Sequence, residues 1–200
     1  MKITVMFTAA LIGALLALPV AAQGAGQRVE RTQAELAFEQ AEANFEKQKE
    51  ARDAARQKCA GRDWQACYEL AEFQRRGVGG AQDLTAAAAS YKKVCDARDG
   101  RGCAGLAYLT VQGRGVTANA AEGRRLYKLS CDLGEVSGCA AWGNMAYTGA
   151  GGAKDVAGGT RALNEACGKG YDWACERIRT LGGFDPKDNS MQRLRDLRNN

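Results

Sequence analysis

The sequence predicts an all-α superhelix, a solenoid of stacked helix pairs stapled by disulfides, and three observations predict it. The first is the cysteine pattern. Cys59 and Cys67, Cys95 and Cys103, Cys131 and Cys139, and Cys167 and Cys175 each stand 8 residues apart, and successive pairs stand 36 apart. The second is a glycine break at one phase of that period: Gly77-Val78-Gly79, Gly113-Arg114-Gly115 and Gly149-Ala150-Gly151. The third is a cap residue soon after each break, at Asp83, Asn119 and Asp155, able to bond the free amides that open a helix.

The elements follow in chain order. Met1-Lys2 is a basic start, Ile3 to Leu18 is almost wholly apolar, and Ala22 closes a small-residue exit. This pattern predicts a secretory signal over 1–22, with an uncleaved anchor as the alternative. Residues 23–58 are rich in Glu, Gln, Ala, Lys and Arg, with sparse apolar residues at Val29, Leu36, Phe38 and Phe45. They read as an N-terminal helical cap. Sustained apolar heptads are missing, which disfavours a coiled-coil stalk.

The repeats are expected over 59–182. Counting from the second cysteine of each pair, Leu70, Leu106 and Trp142 align, then Ala71, Ala107 and Gly143, then Phe73, Leu109 and Met145. That spacing marks the buried stripe of a first helix, A, with a small residue where a neighbour approaches. After the glycine break and the cap comes a second helix, B, with Tyr91, Tyr127 and Leu163 in register. Neither helix buries its apolar face alone, so the pairs must stack. A last short helix from Pro186 through Leu197 is expected to close the stack over 183–200.

In a helix, residues 8 apart lie roughly 12 Å apart along the axis. A disulfide needs Cα atoms within about 7 Å. Bonded pairs therefore require a turn between them, and Gly61, Gly100, Gly102, Gly134, Gly168 and Gly170 fall in those segments. Each bond would staple the end of a B helix to the start of the next A helix, for about 2–3 kcal/mol in the chain-entropy view. The competing reading is zinc. It lacks C-x-x-C pairs, and the chain has no His. No metal and no cofactor are expected.

The pattern Leu-Ala/Gly-x-Phe/Leu/Met-x-x-x-Gly-x-Gly, then Asp or Asn, then an Ala-rich helix, resembles the Sel-one-like repeat, a relative of the tetratricopeptide repeat. The cysteine spacing is similar to that of the secreted Helicobacter cysteine-rich proteins. The resemblance covers Lys58 to about Leu181. It implies an exported solenoid, and it brings a β-lactam-binding or weak β-lactamase activity as one expectation and an adaptor role as another.

The residues themselves carry little catalytic chemistry. Without His there is no Ser-His-Asp triad. One Ser-x-x-Lys run, Ser90-Tyr91-Lys92-Lys93, matches the serine β-lactamase nucleophile motif, but its companions Lys-Thr-Gly and Ser-Asp-Asn are absent. Ser90 also shares its phase with Leu126 and Ala162, as a packing position would. Net charge is +5 with mixed signs and few aromatics, which argues against nucleic acid as a partner. No catalytic residue is predicted.

The expected function is an exported scaffold, periplasmic or extracellular, monomeric and free of the membrane after signal cleavage. Its expected partner is a protein, a peptide or a peptidoglycan-related fragment. Binding is expected on the concave face, lined by A helices, at Tyr68, Glu72, Arg75, Tyr108, Gln112, Asn144 and Tyr147. The alternative is a β-lactam-binding protein or weak β-lactamase.

Overall fold

The 36-residue period governs how each helix starts and stops. The computed structural model describes residues 32–182, and among these residues it holds eight helices and no strand. They are α1 (Gln33–Ala60), α2 (Trp64–Arg76), α3 (Leu84–Asp96), α4 (Gly100–Gln112), α5 (Ala120–Asp132), α6 (Val136–Thr148), α7 (Val156–Gly168) and α8 (Asp172–Thr180). Helices α2, α4, α6 and α8 are A helices; α3, α5 and α7 are B helices. Each B helix opens on its aligned cap: Asp83, Asn119 and Asp155 accept from the amides of Ala86, Glu122 and Gly158 at 2.8, 2.9 and 2.8 Å. The A helices open on Asp63, Asp99 and Glu135, whose side chains also cap; at α8 the cap position is Tyr171, with no side-chain cap bond.

Glycine is needed twice in each A-to-B turn. Gly77, Gly113 and Gly149 end the A helices at φ of 72°, 65° and 84°. Two residues on, a Cβ at Gly79, Gly115 or Gly151 would lie 2.4, 2.4 or 2.2 Å from the carbonyl oxygen of Gln48, Leu84 or Ala120. The turn thus rests on the backbone of an earlier helix, midway along α1 or at the first residue of α3 or α5, and no side chain fits between.

The B-to-A turns are less uniform than the glycine content suggested. Their left-handed residue is Arg62, Arg98, Gly134 and Gly170 in turn, at φ of 66°, 66°, 87° and 92°. Arginine occupies the strained position in the first two. Neighbouring bonds hold it there: the Asp63 amide donates to the Lys58 carbonyl at 3.1 Å, and the Asp99 amide to the Val94 carbonyl at 3.2 Å. Gly61 and Gly100, which fall in those segments, are not the left-handed residues.

Gln48 shares its phase with Leu84 and Ala120, so the second half of α1 is itself a B helix. It buries Arg52, Ala55 and Cys59. The phase that caps the other B helices here holds Lys47, which cannot cap, and the helix runs on N-terminally. It stops at Thr32, whose side chain and Glu35 form a reciprocal capping box. Within the segment expected as a cap over 23–58, the described residues from 33 onward form one helix whose second half is a B helix and whose first half is an extension, and none of residues 33–47 is buried. The expected signal over 1–22 and the closing helix over 183–200 lie outside the described residues.

The structure bonds Cys59 to Cys67, Cys95 to Cys103, Cys131 to Cys139 and Cys167 to Cys175, with Cα atoms 4.3 to 4.7 Å apart. Each bond spans a B-to-A junction. Seven of the eight cysteines are buried; Cys131 is only partly so. Between the staples, buried residues from consecutive helices join into a run of small cores, including Leu70 with Val94, Tyr91 with Leu109, and Leu163 with Ile178. Helices α6 and α7 come close through paired glycines: a Cβ at Gly159 would stand 2.6 Å from the Gly143 carbonyl oxygen.

Candidate binding groove

The A helices lie side by side, and their shared face forms a groove of about 490 Å³. Successive A helices supply Tyr68, Glu72 and Arg75 from α2, then Arg101, Ala104, Gly105 and Tyr108 from α4. Ser137 and Ala141 of α6 continue the lining, with Glu135 and Tyr171 at the caps of α6 and α8. Two B-helix residues also reach it, Tyr91 and Tyr127. The chain has six tyrosines, and five of them line this one groove.

Tyr91 gets there because position 105 is glycine. A Cβ on Gly105 would sit 2.5 Å from the Tyr91 ring. The ring passes beside α4, fully buried, and its hydroxyl emerges among charged groups on α2. That hydroxyl donates to a Glu72 carboxylate oxygen and accepts from Arg75 Nε at 3.1 Å. Arg75 also grips Glu72 with two donors, Nε at 3.2 Å and Nη2 at 2.6 Å. The three side chains form a closed polar network at the α2 end of the groove.

The electrostatics follow from that network. Burial raises the Glu72 carboxyl, but hydrogen bonds from Arg75 and Tyr91 outweigh it and hold the group below its ordinary value. Burial, then the nearby carboxylate, pushes the Tyr91 phenol well above 10.0. Burial first, then the nearby Tyr108 and Tyr171, carries the Tyr127 phenol to about 12. The Tyr68 phenol is also raised, by burial first and Glu72 second. The phenols of Tyr68, Tyr91 and Tyr127 are therefore neutral hydroxyls that donate and accept. Arg101 lies with its guanidinium 4.7 Å from the Tyr68 ring centre and is held by Asp99 at 2.6 Å and Gln65 at 2.7 Å. The walls are thus aromatic with both charge signs fixed in place.

Of the residues expected on the concave face, Tyr68, Glu72, Arg75 and Tyr108 line the groove. Gln112 is exposed at the end of α4 and does not line it. Asn144 and Tyr147 serve the end of the stack instead. Asn144 accepts from Arg177 Nε at 2.6 Å, and the Tyr147 hydroxyl donates to the Leu181 carbonyl at 3.0 Å. The groove also contains Tyr91, Arg101, Tyr127, Glu135 and Tyr171, which the A-helix phase did not select. Gly105 was the available signal: a glycine facing a tyrosine phase lets a B-helix ring through. Ser90 lies in the packing layer between α2 and α3. It is buried, and its hydroxyl donates to Gln74 Oε1 at 2.8 Å, while Lys93 is exposed.

Fold and staples together define an all-α solenoid of stacked helix pairs with the fold of Sel1 repeat proteins. Among solved structures, the chain superimposes on a protective antigen of uropathogenic Escherichia coli displaying an SLR fold, with a TM-score of 0.64, 20% identity, and coverage of 80% of this chain and 39% of that one. It also superimposes on a Sel1 repeat protein from Oxalobacter formigenes, with a TM-score of 0.62, 21% identity, and coverage of 72% of this chain and 63% of that one. A third similar structure, Helicobacter pylori cysteine rich protein B, is more distant in shape, at a TM-score of 0.47 and 19% identity. The chain thus spans less than two thirds of the first two relatives. No family profile and no curated protein matches it by sequence.

Proposed function

We propose that this protein is an exported scaffold that binds an extended peptide of a partner protein in the tyrosine-lined groove. The gathering of five of six tyrosines into one groove carries this reading. Tyrosine and arginine are the side chains that concentrate binding energy at interfaces, since they bury large area at small entropic cost and keep a polar tip. Neutral phenols beside Glu72, Arg101 and Glu135 suit the alternating amide donors and acceptors of an extended backbone. The network around Tyr91 holds one end rigid before binding, which lowers the ordering cost. Four disulfides suit an oxidising compartment, and the apolar N-terminus suits export.

The β-lactam reading draws on family resemblance alone. Ser90, its one motif-matched nucleophile, is committed to Gln74 in the packing layer and does not line the groove.

The test is a peptide array of envelope proteins and a set of muropeptides, both probed with oxidised protein, with nitrocefin hydrolysis in parallel. Array peptides should bind, and Tyr108→Ala should weaken them by roughly tenfold, the loss of one aromatic contact. Tyr108 is exposed, so the fold should survive. Binding of muropeptides alone would replace the peptide with a cell-wall fragment. Nitrocefin hydrolysis abolished by Ser90→Ala would overturn the scaffold reading.

A further inference from the structure

The extension of α1 carries a second surface, independent of the groove. Ala34, Phe38, Ala41 and Phe45 follow one another at alternating steps of four and three, the stripe of a helix made to pack. Continued by the same steps, the stripe reaches Arg52, Ala55 and Cys59, the α1 residues buried on the solenoid. One stripe therefore has two halves: the second is covered, and the first is bare. Phe38 is 64% exposed and Phe45 46%. A large ring left in water forgoes the gain of burial, and two on one face of one helix mark an interaction surface.

Charge selects the partner. Residues 33–46 contain Glu35, Glu39, Glu42 and Glu46 and no Lys or Arg. At steps of four, three and four, these glutamates form a ridge beside the phenylalanines. Shallow depressions between ridge and stripe are lined by Ala34, Phe38 and Glu42, and by Ala41, Phe45 and Glu46. The alternation of ring and alanine offers holes for large side chains opposite each alanine. A second copy of the same extension, laid antiparallel, would oppose glutamate to glutamate. A basic helix would not.

We infer that the bare half of the α1 stripe docks an amphipathic helix of another protein whose apolar face is edged by Lys or Arg. It extends the packing that α1 already makes with α2, one helix length further out. Phe38 and Phe45 anchor it, and the glutamate ridge sets its orientation and its choice of partner.

Two synthetic 21-residue helices test this. Both carry Leu and Ala on the docking face; one has Lys along the facing edge and its twin has Glu. Each is titrated into the full oxidised chain by fluorescence anisotropy. The Lys helix should bind roughly tenfold or more tighter than its twin, and its affinity should fall as salt screens the ridge. Phe38→Asp with Phe45→Asp should abolish that binding and leave the melting temperature unchanged, because neither ring is buried. Equal binding of the twins, no binding of either, or binding that survives the double variant would overturn the inference. So would a concentration-dependent dimer, seen by analytical ultracentrifugation and lost in the double variant, which would assign the surface to a second copy.

Discussion

The first and third helix pairs carry the same three phases to opposite ends of the solenoid and use them differently. In α2 and α3 those phases hold Glu72, Arg75 and Tyr91, which bond one another at the edge of the groove. In α6 and α7 they hold Asn144, Tyr147 and Leu163. There Leu163 is fully buried, Asn144 engages Arg177, and Tyr147 engages the Leu181 carbonyl. One backbone repeat thus builds a polar, outward network at one end and a closing contact at the other. A repeat fixes where a side chain points, and its chemistry decides whether it faces a ligand or the next helix.

The staples are common to both ends, so breaking them should give the largest effect. Each closes a loop of similar length and contributes about 2–3 kcal/mol, while a domain of this size holds about 5–15 kcal/mol in total. Removing one pair, as in Cys95→Ala with Cys103→Ala, should lower the melting temperature and leave a cooperative fold. Reducing all four should largely unfold the chain and abolish binding in the groove. Circular dichroism melts with and without reductant check this. The ends should also differ in order of reduction. Cys131 is the one partly exposed cysteine, so Cys131–Cys139 should be the first bond trapped by alkylation in mild reductant.

A smaller effect separates the two ends directly. Tyr91→Phe and Tyr147→Phe each delete one hydroxyl and one or two hydrogen bonds, at about 1 kcal/mol of stability. The first should also weaken groove binding, since it frees Glu72 and Arg75 to move; the second should leave binding intact. Acid probes the same end. The Glu72 carboxyl is held below its ordinary 4.5 in the folded state, so its contribution is present above that pH. It is lost as pH falls through the folded value, and Glu72→Gln should remove that part of the acid sensitivity. Equal binding losses in the two tyrosine variants would dissolve the distinction between a recognition end and a closing end.

The repeat itself was legible because its signals are local and recur. A cap at Asp83 is read from the residues beside it, and the period confirms it at Asn119 and Asp155. The groove was only half legible. Tyr68 and Tyr108 sit on A helices and could be placed by phase. Tyr91 and Tyr127 belong to B helices and still line the groove, Tyr91 by passing Gly105, a contact between elements that no single window contains. Asn144 and Tyr147 lie outside the groove for the complementary reason. Their phase is right, but α8 and Leu181 cover them, and that depends on where the stack ends. In α1, the missing cap at Lys47 could have shown that the helix runs on.

The smallest expected effect lies in the B-to-A turns, where the halves differ by one residue type. The left-handed position is Arg98 in the second turn and Gly134 in the third. A side chain in that conformation costs about 1–2 kcal/mol, and glycine removes the cost while loosening the unfolded chain by about half as much. Arg98→Gly should therefore stabilise the protein by a few tenths to about 1 kcal/mol. Gly134→Ala should destabilise it by a similar amount through backbone strain alone, since a Cβ there meets nothing within 4 Å. Urea titrations of both variants give the comparison, with matched slopes required before the midpoints are read. A neutral Arg98→Gly beside a costly Gly134→Ala would mean that the arginine stem makes contacts worth as much as the strain. The first two turns would then be held by their side chains, and the last two by backbone freedom.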